Sequence, residues 1–556
     1  MQRLELTWIG KGEEPAVEPR ILLHDPSKDY GDPNTENMLI HGDNLLALKA
    51  LEHQYAGQVK CIYIDPPYNT GEAFEYYDDN LEHSIWLGLM KARLEILYNL
   101  LADDGFFCCQ IDDSEGHYLK VMLDEIFGRN GYYQTTIYVR VRYPEKTLKQ
   151  DMSFHKEIEQ VHIYRKTTAA KPRLDKIDAG YEKFKYKIST NAMPDKTLEL
   201  GGKKVEVFYK GNYEIIEEEG SEYGLKEIWA SGTILDGNSS GRFFRDYLTG
   251  RYDEDGYGVI YKVYGIGDDR YDYRFFTGPN REGATKGKYY QGVPLEKLQS
   301  GEMTREVPIN GFFDLAANFG NCRHEGGSEF RGGKKPEILL YTLLNHFSNP
   351  GDLVLDSFLG SGTTAAVAHK MGRRYIGIEL GEHCYSLCKP RLDRVIDGEQ
   401  TGISKYVEWR GGGGYKFYEL APSLIEKDKY GNPIISKQYN SNMLIAAVAK
   451  LNGYSYAPDP DVFWKQGFSQ DKSFIYVTTN YLDSKMLDSI ASDLGGMESL
   501  LVCAPAFDIG LDKRYDNIQV KKIPQSVLDK CEYGVDNYNL NVVDIPIIDE
   551  EEWEDD

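Results

Sequence analysis

MLIHGDNLLALKALEHQYAGQVKCIYIDPPY, residues 38–68, reads as a strand (MLIHGD), a helix (NLLALKALEHQY) and a second strand (VKCIYI) that runs into two prolines. A second unit follows. HSIWLGLMKARLEILYNLLADDG, from His83, carries apolar residues at helical spacing and is expected to end at Asp103-Asp104-Gly105. FFCCQID is then a buried strand, and EGHYLKVMLDEIFG a helix closed by Gly128. Strands alternating with helices imply a parallel sheet. From about 131 to 310 the chain is rich in Tyr, Gly, Lys and Asp, with short alternating strands such as KVEVFYK and GVIYKVYG. The βα rhythm returns at PEILLYTLLNHF, LVLDSFLGSGTTAAVAHKMG and RRYIGIEL. The expectation is an α/β chain: one mostly parallel sheet built from two sequence segments, with a foreign module between them.

Composition bounds the rest. At 556 residues and 63.4 kDa the chain should hold two to four domains of ~100–200 residues each. Hydrophobic residues make up 41% and charged residues 27%, which fits a folded globular chain and not a disordered one. No apolar run is long enough to span a membrane, and the N-terminus has no apolar signal region. The eight cysteines are scattered and form no disulfide framework, so a reducing cytoplasm is expected; Cys384 and Cys388 lack a second pair, and no metal site is expected. A net charge of −24 argues against a polyanionic partner. Yet the tail from Asp544 to Asp556 holds eight acids, and Lys171 to Lys210 holds ten basic residues against six acidic. A locally basic groove therefore stays open. The 42 tyrosines against 22 phenylalanines suit base stacking or other polar recognition.

Two motifs carry chemistry. Asp65-Pro66-Pro67-Tyr68 sits at the C-terminal end of an apolar strand, where ligands of parallel sheets bind. Two prolines fix φ and remove two donors, so the turn is stiff. The Asp65 carboxylate and the Pro66 carbonyl become two acceptors facing one small volume, a pair suited to an exocyclic amine. Tyr68 offers a face for a planar ring. The alternative is a rigid turn with a capping Asp. The second motif, Asp356-Ser357-Phe358-Leu359-Gly360-Ser361-Gly362-Thr363-Thr364, is a glycine turn between a strand and a helix, where a ligand can approach the backbone closely. It lacks the third glycine of a dinucleotide site and the GK[ST] of a P-loop. The next strand, YIGIEL, ends in Glu379, an acid placed to bind both hydroxyls of a ribose. The pattern predicts a nucleoside cofactor other than NAD or ATP.

These motifs resemble the amino-group DNA methyltransferases that use S-adenosylmethionine, and the block IHGDNLLALKALEHQYAGQVKCIYIDPPYNTG, residues 40–71, resembles the modification (Mod) subunits of type III restriction-modification systems. The order, with DPPY first, FxGxG last and a long insert between, is similar to the β class. The resemblance covers roughly 35–165 and 320–395. It implies a Rossmann-like methyltransferase core in two segments. An N-terminal extension (1–34) would precede the catalytic core segment (35–165), and a target-recognition domain (166–310) would separate that from the cofactor core segment (311–400). A small C-terminal α/β domain with an acidic tail (415–556) would come last, after a glycine run Gly411 to Gly414 read as a turn or linker. Asp65 and Pro66 would accept from the target amine, with Pro67 stiffening the turn and Tyr68 stacking on a flipped base. Asp356, Phe358, Gly360, Gly362 and Thr363 would shape the cofactor pocket and Glu379 hold its ribose. Lys335, Pro336 and Glu337 match a further cofactor-side motif. Asp43 and Asn44 would lie by the cofactor's adenine, although Asp43 also reads as a plain helix N-cap.

Weaker candidates for DNA contact are Phe74 and Tyr76, which either clamp the base or pack the loop, and Arg140, Arg142 and Lys146, which form either a phosphate-contacting strand and loop or a solvated face. Arg242 and Arg245 are candidates in the insert. The resemblance implies a homodimer acting on duplex DNA in the cytoplasm, with cleavage left to a separate restriction subunit. Asp at position 65 favours adenine-N6 as the target. The alternatives are cytosine-N4 methylation and a non-catalytic DNA-specificity subunit for a nuclease partner.

Overall fold

The computed structural model describes the chain except residues 1–4, 13–16, 19, 70–81, 144–154, 179, 192, 231–238, 285, 301–303, 328–332, 428–432, 470–471 and 524–556. It forms two compact units: residues 1–173 with 310–556, and residues 174–309. Among the described residues no helix is long and apolar enough to cross a membrane.

The larger unit is built on an eleven-stranded sheet. Its core elements, in chain order, are β1 (Leu22–His24), β2 (Tyr30–Gly31), β3 (Met38–His41), α1 (Asn44–Tyr55), β4 (Val59–Ile64), α2 (His83–Leu100), β5 (Leu101–Ile111), α3 (Gly116–Phe127), β6 (Tyr133–Arg140), β7 (Ile158–Arg165), β8 (Phe312–Asp314), α4 (Glu337–Phe347), β9 (Leu353–Asp356), α5 (Thr363–Lys370), β10 (Arg374–Glu379), α6 (Lys389–Ile396) and β11 (Gly414–Leu420). The strand order is β1-β11-β3-β10-β9-β4-β5-β7-β6-β8, with β2 also on β11. The run from β11 through β3, β10, β9 and β4 to β5 is parallel, while β7 is antiparallel to both β5 and β6. The expected mostly parallel sheet in two sequence segments is therefore present.

Burial explains the run VKCIYI. Val59, Cys61, Ile62 and Ile64 are fully enclosed, as expected of a central parallel strand covered by helices on both faces. On α2, Trp86, Met90, Leu94 and Leu97 recur at helical spacing and join the same core. Burying one such leucine contributes about 1.5–3 kcal/mol.

The sheet corrects three expectations. The helix from His83 stops at Leu100, and Asp103, Asp104 and Gly105 lie inside β5. The register to β4 slips there, from Val59 opposite Leu101 to Cys61 opposite Phe106, so these residues form a bulge. The helix ends early because its last carbonyls are already used: Asn99 and Leu100 accept from the Gly57 and Gln58 N–H groups. Second, the N-terminal extension is not outside the core, since Leu22–His24 and Tyr30–Gly31 are strands of the sheet. Third, the glycine run does not separate a C-terminal domain from residue 415, because Gly414–Leu420 is β11, parallel to β3. The glycines serve close packing: a Cβ at Gly31 would collide with the Gly413 carbonyl oxygen, and one at Gly414 with the Asp32 nitrogen. Further along, residues 473–477, 499–504 and 518–522 form parallel strands of a separate five-stranded sheet, with helix Ser484–Asp493 between the first two.

The smaller unit begins at Leu174, not at 166. It is antiparallel, a six-stranded sheet with strand order 196–200, 203–208, 260–264, 273–277, 288–291, 226–229. Val205, Val207, Val263 and Phe276 form its core with Phe243, Phe244 and Leu248.

Candidate active site

The topology fixes where a ligand can sit. From β9 the chain passes through α5 to β10 on one side; from β4 it passes through α2 to β5 on the other. β9 and β4 are neighbours, so their C-terminal ends flank the point where the strand order reverses, the crevice in which open α/β sheets bind ligands. Both sequence motifs lie there.

After β4 the chain leaves the sheet through Asp65-Pro66-Pro67. The Pro67 carbonyl accepts from Trp86 Nε1 at 2.9 Å, which ties the loop to α2. The Tyr68 hydroxyl lies 2.8 Å from Asp65 Oδ1 and 2.8 Å from Glu159 Oε2. Asn69, at φ +58°, donates to Glu115 Oε1 at 2.7 Å, and His83 Nδ1 meets the same carboxylate at 2.7 Å. The Lys335 ammonium is 2.9 Å from Asp65 Oδ2, 3.6 Å from Glu159 Oε2 and 4.9 Å from the centre of the Tyr68 ring. Burial pushes the Asp65 carboxyl up, against the pull of Lys335, and burial with the nearby Asp65 charge pushes the Tyr68 phenol well up. Burial alone would lower the Lys335 ammonium; Asp65 and Glu159 outweigh it and hold it above its ordinary value. This arrangement places Lys335, expected in a cofactor-side motif, against the Asp65 carboxylate. It also reveals Glu159 and Gln110, which the sequence reading missed. Gln110, fully buried on β5, donates to Glu159 Oε2 and accepts from the Tyr63 hydroxyl at 2.6 Å. The one signal was a lone acid within a strand otherwise suited to pair with FFCCQI.

After β9 the glycine loop is held by its own backbone. Asp356 accepts from the Phe358 N–H at 2.9 Å and the Thr364 hydroxyl at 2.6 Å, and burial pushes its carboxyl up to about 7. Glu379, at the end of β10, accepts from the N–H groups of Gly360 (2.6 Å), Leu380 (2.9 Å) and Gly381 (3.1 Å) and pairs with His383 Nε2 at 3.0 Å. Burial would raise this carboxyl; His383 and the amides hold it below its ordinary value. Gly360 has φ +57°, and a Cβ there would meet nothing nearer than 4.0 Å, so space lies in front of the loop. Gly362 has φ +80° and starts α5. Phe358 is packed into the main core. The Ser357 hydroxyl is buried and has no hydrogen-bond partner among the described residues.

Several expected cofactor contacts are used internally. Glu337 is fully buried behind the loop, 2.8 Å from Lys370 and 2.9 Å from Arg391, and accepts from the Ile403 N–H at 3.1 Å. It holds the scaffold and does not face the crevice, because a carboxylate so enclosed is stable only with its cations. Pro336 is the N-cap of α4. The Thr363 hydroxyl accepts from Arg391 at 2.7 Å. Asp43 is the N-cap of α1, accepting from the Leu46 N–H at 3.0 Å, and Asn44 donates to the Ser357 carbonyl at 2.7 Å while accepting from Arg93. Asn44 thus latches α1 to the glycine loop.

The described candidate DNA contacts fall in both units. Arg140 is paired within the sheet to Glu157 (3.2 Å) and Asp314 (3.5 Å), whereas Arg142 is exposed just beyond β6. Arg242 is exposed on the short helix Ser239–Phe243 of the smaller unit, and Arg245 pairs with Asp246 at 2.6 Å. Phe74, Tyr76 and Lys146 lie outside the described residues.

The family model described as DNA methylase, for N6 and N4 methyltransferases, matches residues 59–390, which include both motifs and the insert. The chain belongs to this DNA methylase family. Among curated relatives it is 35% identical over 415 residues to the probable type III restriction-modification enzyme HindVI Mod subunit of Haemophilus influenzae, covering 70% of this chain and 54% of the relative. It is 25% identical over 426 residues to the StyLTI Mod subunit of Salmonella typhimurium, covering 69% and 58%. The chain thus spans somewhat over half the length of these relatives. Among solved structures, the cytosine-N4-specific PvuII DNA methyltransferase is similar at 13% identity and a TM-score of 0.33, covering 67% of this chain and 91% of that one. So low a score carries no weight for the methylase fold, which rests on the strand order itself.

Proposed function

We propose that this chain transfers a methyl group from S-adenosylmethionine to the exocyclic N6 amine of adenine in duplex DNA, as the modification subunit of a type III restriction-modification system. The observation that carries the reading is the juxtaposition of Asp65 and Tyr68 with the glycine loop at one switch point. The residues fit the cofactor. Glu379 offers a carboxylate for ribose hydroxyls, Gly360 leaves room for a ligand, and Ser357 has a buried hydroxyl in need of a partner. S-adenosylmethionine would supply an electrophilic methyl group.

The chain's own role is positioning. An amine conjugated to a purine has a delocalised lone pair. Acceptors at Asp65 and Pro66 would hold its two hydrogens, favour a pyramidal nitrogen and free the lone pair. Tyr68 would stack on the ring. A base inside a duplex cannot reach a site between strand ends, so it must be extruded. Aspartate at position 65 favours adenine over cytosine. The smaller unit, 174–309, with Arg242 and Arg245 would read the DNA sequence, and Arg142 would contact phosphates. A homodimer and a separate restriction subunit complete the reading; light scattering of the purified chain tests the first, which a monomer at micromolar concentration would refute.

The test of function is transfer of tritiated methyl from S-adenosylmethionine to unmethylated DNA, followed by nucleoside analysis. Label in N6-methyladenine is expected. Label in N4-methylcytosine would replace the substrate base, and no label would remove the enzymatic reading in favour of a non-catalytic DNA-specificity subunit.

A further inference from the structure

Two carboxylates and one ammonium share the end of β4. Lys335 sits on Asp65 at 2.9 Å, with Glu159 at 3.6 Å and the Gly333 carbonyl at 3.5 Å. The Tyr68 hydroxyl lies 2.8 Å from an oxygen of each carboxylate. A hydroxyl has one proton, so Tyr68 serves one carboxylate at a time. Both donors thus have two acid acceptors within reach: Lys335 lies nearer Asp65, and Tyr68 lies equally near the two. Glu159 comes from β7, on the far side of β5, and its Oε2 is fixed by Gln110.

The methyl-transfer reading, on which this inference rests, meets a difficulty here. Asp65 must offer its oxygens to the target amine, yet Oδ1 faces Tyr68 and Oδ2 is paired with Lys335. A neutral amine that simply displaced Lys335 would leave a buried cation unpaired, which is costly. A second carboxylate beside it removes that cost.

We propose that Glu159 is a positioning residue of this site: it takes over the Lys335 ammonium when Asp65 is released to the target amine. No proton changes owner in the exchange; one ion pair is replaced by another. A merely structural Glu159 would instead tie β7 to β5 through Gln110 and have no bearing on Lys335.

Two measurements decide this. The first needs neither cofactor nor DNA. In Asp65→Asn the ammonium has one charged partner left among the described residues. A crystal structure of that variant should show Lys335 Nζ at about 3 Å from Glu159. An ammonium that stays on the new amide at position 65, or turns to solvent, overturns the proposal. The second is single-turnover methyl transfer by the wild type, Glu159→Gln, Lys335→Gln and the double variant, with cofactor affinity and melting temperature measured on each. Glu159→Gln should slow transfer by at least about tenfold at unchanged cofactor affinity, and the double variant should be no slower than Lys335→Gln, since without the ammonium there is nothing to hand over. A wild-type rate in Glu159→Gln, or losses that multiply in the double variant, would overturn it. If the wild type itself transfers no methyl, the reading of function fails, and the Asp65→Asn structure still decides the role of Glu159.

Discussion

Two strand ends that lie side by side hold their carboxylates in opposite ways. Beyond β9 and β10, Glu379 and Asp356 are bound largely by backbone N–H groups, and the buried Glu337, Lys370 and Arg391 brace the loop from behind. Beyond β4, Asp65 is bound by two long side chains, Lys335 and Tyr68. Backbone donors cannot turn away; side chains can. The first end is set before any ligand arrives, and the second must exchange partners to act. Binding and chemistry should therefore be separable by mutation.

The largest expected effect is at the second end. Asp65→Ala should lower methyl transfer by at least about 10³-fold, the scale of lost transition-state electrostatics, and leave cofactor affinity unchanged by calorimetry. A matching loss of cofactor affinity would break the comparison. Next, Arg391→Met should leave Glu337 underpaired and the loop unbraced, lowering stability by about 3 kcal/mol in denaturant unfolding and weakening cofactor binding with it. An unchanged midpoint would mean the loop is held by its amides alone.

Glu379→Ala should weaken S-adenosylmethionine by about 1.5–3 kcal/mol, roughly 10–100-fold, at a transfer rate little changed under saturation. Unchanged affinity would show that Glu379 serves only the loop. The smallest effect is a pH dependence. Buried Asp356 titrates at about 7, above its unfolded value, so the native state holds a proton that the unfolded chain has lost. That stabilisation is full below the unfolded pKa of about 3.9 and is lost as pH rises through about 7. Asp356→Asn should remove about 1.4 kcal/mol of stability change between pH 6 and 8. Parallel wild-type and variant curves would contradict the shift.

What was legible in the sequence follows the same divide. DPPY and DSFLGSGTT each hold their residues at one strand end, so local pattern was enough to find them. Lys335 was found without its partner Asp65, and Glu159 and Gln110 were missed, because their contacts are made between segments distant in the chain. Glu337 looked like a ligand residue because its partners Lys370 and Arg391 lie far along the chain. The DDG signal failed because Asn99 and Leu100 had already given their carbonyls to Gly57 and Gln58. β11 was hidden in a glycine run whose role, close approach to Gly31 and Asp32, only the partner strand reveals.

The central claim is that this chain methylates adenine in DNA through Asp65. Methylome sequencing of DNA from cells expressing either the wild type or Asp65→Ala addresses it most directly, since base, sequence and strand are read together. The account predicts N6-methyladenine confined to one sequence context with the wild type and none with Asp65→Ala. Methylation that persists in Asp65→Ala, or a wild type that marks no adenine, would contradict it.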